Sequence, residues 1–291
     1  MTTLDLTPTA RSARGATPAL PSVLTCGVTR VGVELKNFFR SRDAMIWCLA
    51  YPLFMYVIFN AVMSGIGEIV LEDGSTYQIA FARFFLPAMI ATGIMLTSFQ
   101  AVGSDISLER EYGTLRRLSV TPIPKASYFI GKIGLVLVTA AIQVALLVGV
   151  AAIAYDVPLP TDPAAWLRFA WLFVLGLAVG TLCGIAFSSV LRSPKSGAVL
   201  IPAIALVLQF ISGIFFDWGG LPNAVQWVAS AFPLRWIALG MRSVFLPEQA
   251  AQFESPESWM TGWTALVLAA WLVVMLLVAV RTFKWRGRND G

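Results

Sequence analysis

Long apolar runs separated by short charged segments dominate this chain. Each run holds about 20 residues, and a helix of ~20 residues at 1.5 Å per residue crosses the ~30 Å hydrocarbon core of a bilayer. The pattern predicts six transmembrane helices, over residues 44–64, 81–103, 128–155, 166–190, 196–216 and 259–280. We therefore expect an all-α integral membrane protein whose transmembrane domain covers residues 44–290.

A different pattern precedes the first apolar run, over residues 23–43. Apolar side chains recur there at helical spacing, and most of the charged side chains fall on the other side. The apolar positions are Leu24, Val28, Val31, Leu35 and Phe38. This pattern is typical of an amphipathic helix that lies in the membrane interface. A short extension of the first transmembrane helix is the alternative.

The composition agrees with a membrane protein. Apolar residues make up 57% of the 291 residues and charged residues 13%, whereas soluble domains have roughly 45–50% and about 25%. A soluble protein with buried helices is the alternative, but buried helices rarely keep apolar runs of this length without charge.

The positions of the charges orient the predicted helices. Most of the 21 lysines and arginines lie before the first run, after the second, after the fourth and after the sixth. More than half of the 16 carboxylates lie in the alternate segments. Because cytoplasmic loops are enriched in Lys and Arg, we expect an even number of spans with both termini in the cytoplasm. The net charge of +5 then indicates contact with the inner lipid leaflet and not with nucleic acid.

Several absences limit the chemistry that the sequence supports. The chain has no histidine, which excludes His-based triads, His metal sites and His proton relays. Its 3 cysteines show no paired spacing, so we expect no disulfide framework. Residues 1–22 lack the continuous apolar core of a signal peptide. They are rich in Thr, Ala, Pro and Ser, and we predict a disordered cytoplasmic tail.

The most informative segment joins the second and third predicted spans, over about residues 105–120. It contains the run Glu109-Arg110-Glu111-Tyr112-Gly113-Thr114-Leu115, followed by Thr121-Pro122. Its periodicity predicts a helix that ends near Gly113, because glycine readily adopts the left-handed conformation that follows helices. A compact, charged element of this kind suits docking to a soluble partner. A solvated loop that only fixes topology is the alternative.

This run resembles the E-R-E-x-G-T-L…T-P signature of ABC-2 type permeases. The chain is similar to bacterial antibiotic-resistance permeases of the daunorubicin-exporter kind. The resemblance implies that the segment is a coupling helix, which docks on a separate ATPase subunit. The coupling residues that it implies are Glu109, Arg110, Glu111, Gly113, Thr114 and Leu115.

The residue types suggest how this docking would work. Glu109 and Glu111 would bind basic or amide groups of the ATPase through charge-assisted hydrogen bonds. Gly113 would allow close backbone approach, and Leu115 would fill a small apolar pocket on the partner.

A second point of resemblance lies between the fifth and sixth predicted spans, over residues 221–246. Two prolines divide this apolar stretch into pieces of roughly 10–12 residues, which are too short to span a bilayer. The family carries two short extracellular helices here, often with an N-P-L-T-Y…R pattern. This chain matches the proline, the leucine and the final arginine, Arg242, but not the Asn, Thr and Tyr. Pro233, Arg235 and Trp236 are therefore candidates for an extracellular gate, with Arg235 and Trp236 as head-group anchors in the alternative interpretation.

The chain has no G-x-x-x-x-G-K-[ST] motif, which is the phosphate-binding loop of many ATPases. We therefore expect ATP and Mg²⁺ on a separate subunit, no cofactor or metal on this chain and no enzymatic activity of its own. The resemblance implies two permease copies, identical or related, with two ATPase subunits in the bacterial plasma membrane. Substrate would pass between the permease copies.

Polar, aromatic and methionine side chains within the spans are candidates for the substrate cavity. They are Tyr51, Met55, Phe99, Gln143, Gln209 and Phe210. Ordinary helix packing and interhelical hydrogen bonds explain the same residues.

The resemblance implies an exporter of a hydrophobic or amphiphilic compound, such as a drug, an antibiotic or a lipid-like molecule. Within the family, the alternative cargo is a polysaccharide or a cell-envelope glycolipid. Outside it, the alternatives are a membrane-embedded enzyme or an assembly factor. An enzyme would need an acidic pair or a Ser–His pair within the spans, and the spans contain neither.

Overall fold

The fold is a bundle of helices, known here from a computed structural model. The structure describes residues 22–63, 69–70, 76–77, 79–191, 194–216, 218–254, 258–283 and 285. Apart from one pair of two-residue strands, the regular elements in these residues are helical, and the predicted all-α class is confirmed. The predicted tail lies outside the described residues except for Ser22, which caps the first helix by accepting a hydrogen bond from the Thr25 amide at 3.2 Å.

The elements divide into two halves along the chain. The first half contains α1 (Val23–Arg40), α2 (Arg42–Met63), the antiparallel strands β1 (Ile69–Val70) and β2 (Thr76–Tyr77), α3 (Phe81–Met95), a π-helical segment (Leu96–Gln100), α4 (Ala101–Glu111), α5 (Thr114–Ser119) and α6 (Lys125–Ala154). The second half contains α7 (Pro163–Val190), α8 (Pro194–Ile211), α9 (Asn223–Ser230), α10 (Pro233–Phe245), a 3-10 helix (Glu248–Phe253) and α11 (Thr261–Thr282).

Five of the described helical stretches are long and apolar enough to cross a membrane. They are Arg42–Met63, Phe81–Glu111, Lys125–Ala154, Pro163–Val190 and Thr261–Thr282. The predicted fifth span, residues 196–216, corresponds to α8, which is a shorter apolar helix. The short helices α9 and α10 occupy the proline-broken stretch before the last span, with 8 and 13 residues.

The core of the bundle is α3, in which every residue from Phe85 to Met95 is buried. A helix that is apolar on all sides belongs inside a bundle. The neighbours α2, α6 and α10 pack around it, and α7 packs on the π-helical segment and on α4. By contrast, α2 and α11 leave many large apolar side chains exposed, which suits helices that face lipid. The amphipathic α1 packs along α6.

The π-helical segment interrupts the long helix between α3 and α4. Such segments contain one extra residue in a turn and often occur at functional sites. The Thr97 and Ser98 hydroxyls donate to the Gly93 carbonyl (2.9 Å) and the Ile94 carbonyl (2.5 Å) just before it. On the facing helix α7, a Cβ at Gly184 would lie 2.8 Å from the Phe99 carbonyl oxygen. Only glycine therefore lets α7 approach the segment this closely.

Candidate coupling site and cavity

The signature run folds into a helical hairpin that ends the long α3–α4 helix. The helix α4 ends at Glu111, and Gly113 adopts a left-handed conformation with φ 68°. The Arg117 amide then donates to the Gly113 carbonyl at 3.1 Å in the first turn of α5. A residue with a Cβ would be strained at this φ. Gly113 thus sets the tight turn that brings α5 back toward the bundle, and Thr114 begins α5, half-buried.

The hairpin divides its signature residues between an exposed and a buried face. Glu111 is exposed, and Tyr112 is 68% exposed. Leu115, by contrast, is 1% exposed and belongs to the hydrophobic core of this chain. The predicted insertion of Leu115 into a pocket of the ATPase is therefore wrong, because the side chain is already packed inside the permease.

Arg110 also points into the bundle. Its Nη1 donates to the Ser188 carbonyl at 2.5 Å, and its Nη2 donates to the Ser189 hydroxyl at 3.2 Å. The Ser188 carbonyl lies in the last turn of α7, where carbonyl groups lack partners within the helix. Arg110 therefore attaches the hairpin to the end of α7.

Glu109 belongs to a group of ion-paired and hydrogen-bonded side chains that we call the lysine cluster: Arg30, Glu34, Asp105, Glu109, Tyr128 and Lys132. Lys132, which is almost fully buried, bonds to Glu34 at 3.2 Å, to Glu109 at 2.9 Å and to Asp105. The Tyr128 hydroxyl donates to the second Glu109 oxygen at 2.5 Å. The expected docking of Glu109 on the ATPase is therefore wrong, because both carboxylate oxygens have partners within this chain.

The lysine cluster joins three parts of the molecule. Glu34 comes from α1, Asp105 and Glu109 come from α4, and Lys132 comes from α6. Arg30 adds a second cation, at 2.7 Å from Glu34. Oxygen atoms of Glu34, Asp105 and Glu109 lie within 4.8 Å of one another, a spacing that suits a metal ion. The Lys132 ammonium bonds to all three carboxylates and takes that place.

A cavity of about 700 Å³ opens beside the lysine cluster. Residues from α1, α2, α4, α6, α8 and the π-helical segment line it. Two of the predicted substrate residues, Tyr51 and Gln209, are among them. This volume lies within the range of small-molecule sites, roughly 300–1,000 Å³.

The other four predicted substrate residues do not line this cavity. Phe99 is buried against Phe187, with ring centroids 5.5 Å apart, and Gln143 donates to the Cys48 carbonyl at 2.7 Å. Met55 packs partly buried against the core, and Phe210 lies against Phe215. The contacts of Phe99 and Gln143 fit the helix-packing alternative.

A second buried group lies at the other end of the bundle, and we call it the arginine cluster: Arg235, Arg242 and Glu254. Arg235 Nη2 and Arg242 Nη1 each donate to one oxygen of the Glu254 carboxylate at 2.5 Å. Arg242 also donates to the Gly213 carbonyl, and the Arg235 guanidinium lies 3.7 Å above the Trp218 ring. The head-group interpretation of Arg235 is wrong, because its guanidinium is enclosed by protein.

The remaining candidates for the extracellular gate lie on the same helix as Arg235 and Arg242. Pro233 begins α10, and the Trp236 indole donates to the Ser230 carbonyl at 2.8 Å. Burial would raise the pKa of the Glu254 carboxyl, but Arg242 and Arg235 outweigh burial and hold that pKa below its usual value. Glu254 is therefore charged at neutral pH.

Sequence reasoning missed the pairing within both clusters. The sequence pattern assigned Lys132 and Asp105 only to a charged loop, and Glu254 only to the acidic residues of another segment. One signal was available: Lys132 lies a full helical turn inside the third predicted apolar run. Charged residues in such runs are costly and usually pair inside the protein.

The sequence of this chain is similar to those of several known proteins. A model of the ABC-2 type transporter family matches residues 31–246. The probable doxorubicin resistance ABC transporter permease protein DrrC of Mycobacterium tuberculosis is 29% identical over 99 residues, which are 34% of this chain and 33% of DrrC. The putative transport permease YvfS of Bacillus subtilis is 22% identical over 205 residues, 69% of this chain and 77% of YvfS.

A third relative is the probable multidrug ABC transporter permease YbhR of Escherichia coli. It is 22% identical over 203 residues, which are 70% of this chain and 53% of YbhR. The matched regions thus span about a third of DrrC and about half of YbhR. The family model covers the hairpin, the cavity and the lysine cluster from Glu34 to Lys132. This chain belongs to the ABC-2 type transporter family, as its signature run predicted.

Proposed function

We propose that this chain is the permease subunit of an ATP-binding-cassette exporter in the bacterial plasma membrane. It moves a hydrophobic or amphiphilic compound out of the cell, with ATP and Mg²⁺ bound by a separate ATPase subunit. Membership of the family and similarity to drug-resistance and multidrug permeases support transport. The hairpin is the observation that carries coupling to ATP hydrolysis.

The exposed face of the hairpin suits docking to a soluble protein. It presents the apolar side chains of Tyr112 and Val120 beside the charged side chains of Glu111 and Arg117. Tyrosine is frequent at the centre of protein interfaces, and charged groups around it set the register. We therefore assign docking to Glu111 and Tyr112, in place of Glu109 and Leu115.

The buried face of the hairpin suits transmission of movement into the bundle. Arg110 ties the hairpin to α7, and the lysine cluster ties α4 to α1 and α6. A displacement of the hairpin by the ATPase would therefore move helices on three sides of the cavity. In the complete transporter, two permease copies pair with two ATPase subunits, and substrate passes between the copies.

The location of the charged segments supports cytoplasmic termini. The hairpin, the end of α7 and the residue Trp285 near the C-terminus meet at one end of the bundle, since Tyr128 contacts Trp285 with ring centroids 5.6 Å apart. The arginine cluster occupies the opposite end. Positively charged loops mark the cytoplasmic side, and this rule supports docking and both termini on that side.

The test is reconstitution with the ATPase that a neighbouring gene is expected to encode. The full chain is co-purified with that subunit, and ATP hydrolysis is measured in nanodiscs for wild type, Glu111→Lys and Tyr112→Ala. Each variant should lower recovery of the complex and stimulated hydrolysis at least about tenfold, which is typical of interface hot spots. Trp227→Ala is the matched control, because Trp227 is an exposed aromatic residue on α9.

Two results would contradict the proposal. Wild-type chain that neither recruits the ATPase nor changes its hydrolysis would remove coupling altogether. If Glu111→Lys and Tyr112→Ala both keep full complex recovery, like Trp227→Ala, the hairpin face is not the docking surface.

A further inference from the structure

The cavity beside the lysine cluster has two chemically distinct ends. Its lining on the α3–α4 helix runs from Leu96 to Glu109, which is roughly 20 Å at 1.5 Å per residue. The Glu109 end is charged, whereas the Leu96 end is formed mainly by apolar and aromatic side chains with a few amides and hydroxyls. A ligand that fills this cavity must therefore be elongated and amphiphilic.

The charged end of the cavity carries more carboxylates than cations. The charged residues that line it are Glu34, Asp105, Glu109 and Lys132. Arg30 also pairs with Glu34 but does not line the cavity. Even with Arg30 counted, two basic groups face three carboxyl groups, so acidic groups outnumber basic ones at this end.

Asp105 is the carboxylate that a ligand can reach. Its side chain is 46% exposed, compared with 6% for Glu34 and 15% for Glu109. Asp105 shares its lysine with the other two carboxylates and has no second cation partner among the described residues. A cationic group of a ligand would therefore reach this carboxylate before the other two, and their attraction would strengthen as the ligand displaces water from the cavity.

The other end of the cavity offers an aromatic surface and one buried acceptor. Trp47 and Tyr51 lie four residues apart on α2, so both face the cavity from one side of the helix. Gln209 is 2% exposed, and its Oε1 has no hydrogen-bond partner among the described residues. A buried amide oxygen without a donor is costly, so a ligand N–H or O–H would be favoured there.

We infer that the compound transported by this permease is an amphiphilic cation. The inference rests on the proposed function and narrows its substrate class. The cationic group lies against Asp105, and the apolar body packs on Trp47, Tyr51 and Leu206. An anionic cargo, such as a phosphate-linked glycolipid, would place its charge against the carboxylates, and a simple metal ion would leave the apolar length of the cavity unused.

The experiment measures binding to the purified full chain in detergent, without ATP or ATPase. The probe is rhodamine 6G, an amphiphilic fluorescent cation, followed by its anisotropy with protein-free micelles as the blank. Tetraphenylphosphonium and tetraphenylborate have the same shape and opposite charge, and each is used to displace the probe. We expect the cation to displace it at a concentration at least about tenfold lower than the anion, the factor that corresponds to one unit of log affinity.

Variants then assign the preference to Asp105. Asp105→Asn should weaken rhodamine 6G binding about tenfold and remove the difference between the two competitors, whereas Asp105→Glu should retain both. Glu248→Gln, at an exposed carboxylate outside the cavity, should behave as wild type. If Asp105→Asn does not fold, as judged by gel filtration, the competitor comparison on wild type and Asp105→Glu still decides.

The outcomes separate this inference from the proposed function. No binding of rhodamine 6G, or equal displacement by the two ions, overturns the inference even if the ATPase is recruited and stimulated. Preferential cation binding that depends on Asp105 supports the site even if no ATPase is recruited, and in that case only the coupling proposal fails.

Discussion

The lysine cluster and the arginine cluster bury charge at the two ends of one bundle, with opposite ratios of acidic to basic groups. In the lysine cluster, Lys132 forms ion pairs with three carboxylates from α1 and α4. In the arginine cluster, one carboxylate, Glu254, forms ion pairs with Arg235 and Arg242. Each cluster thus has one shared ion, and removal of that ion leaves like charges together.

The two clusters differ in their access to solvent. All three side chains of the arginine cluster are almost fully buried, and none of them lines the cavity. The lysine cluster opens to the cavity through Asp105 and touches the hairpin through Glu109. The arginine cluster is therefore a closed structural contact, whereas a ligand or a movement of the hairpin can change the lysine cluster.

The largest effect is expected from Glu254→Gln, which leaves two buried arginines without a counter-ion. Breaking a buried ion pair from one side costs about 3–5 kcal/mol in the free energy of unfolding. Denaturant titration in detergent measures the loss. Glu248→Gln, an exposed neighbour in the chain, should change stability by less than about 0.5 kcal/mol. A loss below about 1 kcal/mol for Glu254→Gln would show that the arginine cluster is not a structural clamp.

A smaller loss, about 3 kcal/mol, is expected from Lys132→Gln. Three carboxylates then repel one another, but Asp105 is partly exposed and can be hydrated, which limits the cost. The same unfolding titration applies, with the exposed Lys125→Gln as control. If Lys132→Gln destabilises the protein more than Glu254→Gln does, the solvent access of the lysine cluster does not lower the cost of breaking it.

A loss of about 1–3 kcal/mol is expected from Gly184→Ala, because the new methyl group would meet the backbone of the π-helical segment. Gly149→Ala is the matched control on α6, where a Cβ has no neighbour within 4 Å. That variant should be neutral or up to about 1 kcal/mol more stable, since alanine favours helix. Equal effects of the two substitutions would mean that close approach of α7 is not required.

The pH dependence of the arginine cluster gives the next effect, about 1.4 kcal/mol for each unit by which the pKa of Glu254 is lowered. The pKa of this carboxyl lies below its usual 4.5 in the folded protein. The contribution of ionised Glu254 to the free energy of unfolding is therefore complete above its usual pKa of 4.5. That contribution is lost as the pH falls through the lowered pKa of the folded protein. The stability difference between wild type and Glu254→Gln should stay constant from neutral pH to about pH 5.5 and shrink below about pH 4. A difference that already shrinks near neutral pH would contradict the lowered pKa.

The smallest effect is expected from Lys195→Ala. The Lys195–Glu111 pair is 3.7 Å apart and largely exposed, and exposed ion pairs contribute about 0–1 kcal/mol. Unfolding should shift by less than about 0.5 kcal/mol, far less than for either cluster. A shift comparable with that of Lys132→Gln would mean that exposure does not distinguish the ion pairs of this protein.

The long helices could be predicted from the sequence because a bilayer imposes a simple rule. Backbone groups in hydrocarbon must bond within the segment, so each span is a long apolar helix. Five of the predicted spans match helices of sufficient length. The fifth predicted span is the exception, because α8 ends at Ile211 and the residues up to 216 form turns and bends.

The clusters and the direction of the hairpin side chains could not be predicted in the same way. Glu34 and Lys132, or Gly213 and Arg242, are distant in the chain and meet only through tertiary packing. The signature run contains two glutamates two residues apart, and helical geometry places them on different faces. The sequence alone does not say which face is buried, so Glu109 and Leu115 were assigned to the wrong side.

The π-helical segment has one more consequence, which concerns rotation. Each residue of an α-helix turns the chain by about 100°, so the extra residue within Leu96–Gln100 sets the angle at which α4 leaves α3. A regular α-helix over the same residues would keep the signature run, the charges and the length needed to cross a membrane. It would nevertheless rotate Asp105 and Glu109 about a quarter turn away from Lys132, because the residue that the wider π turn accommodates would then advance the helix by about 100°. A relative with every motif intact but with a regular α-helix at this segment would therefore not share this lysine cluster.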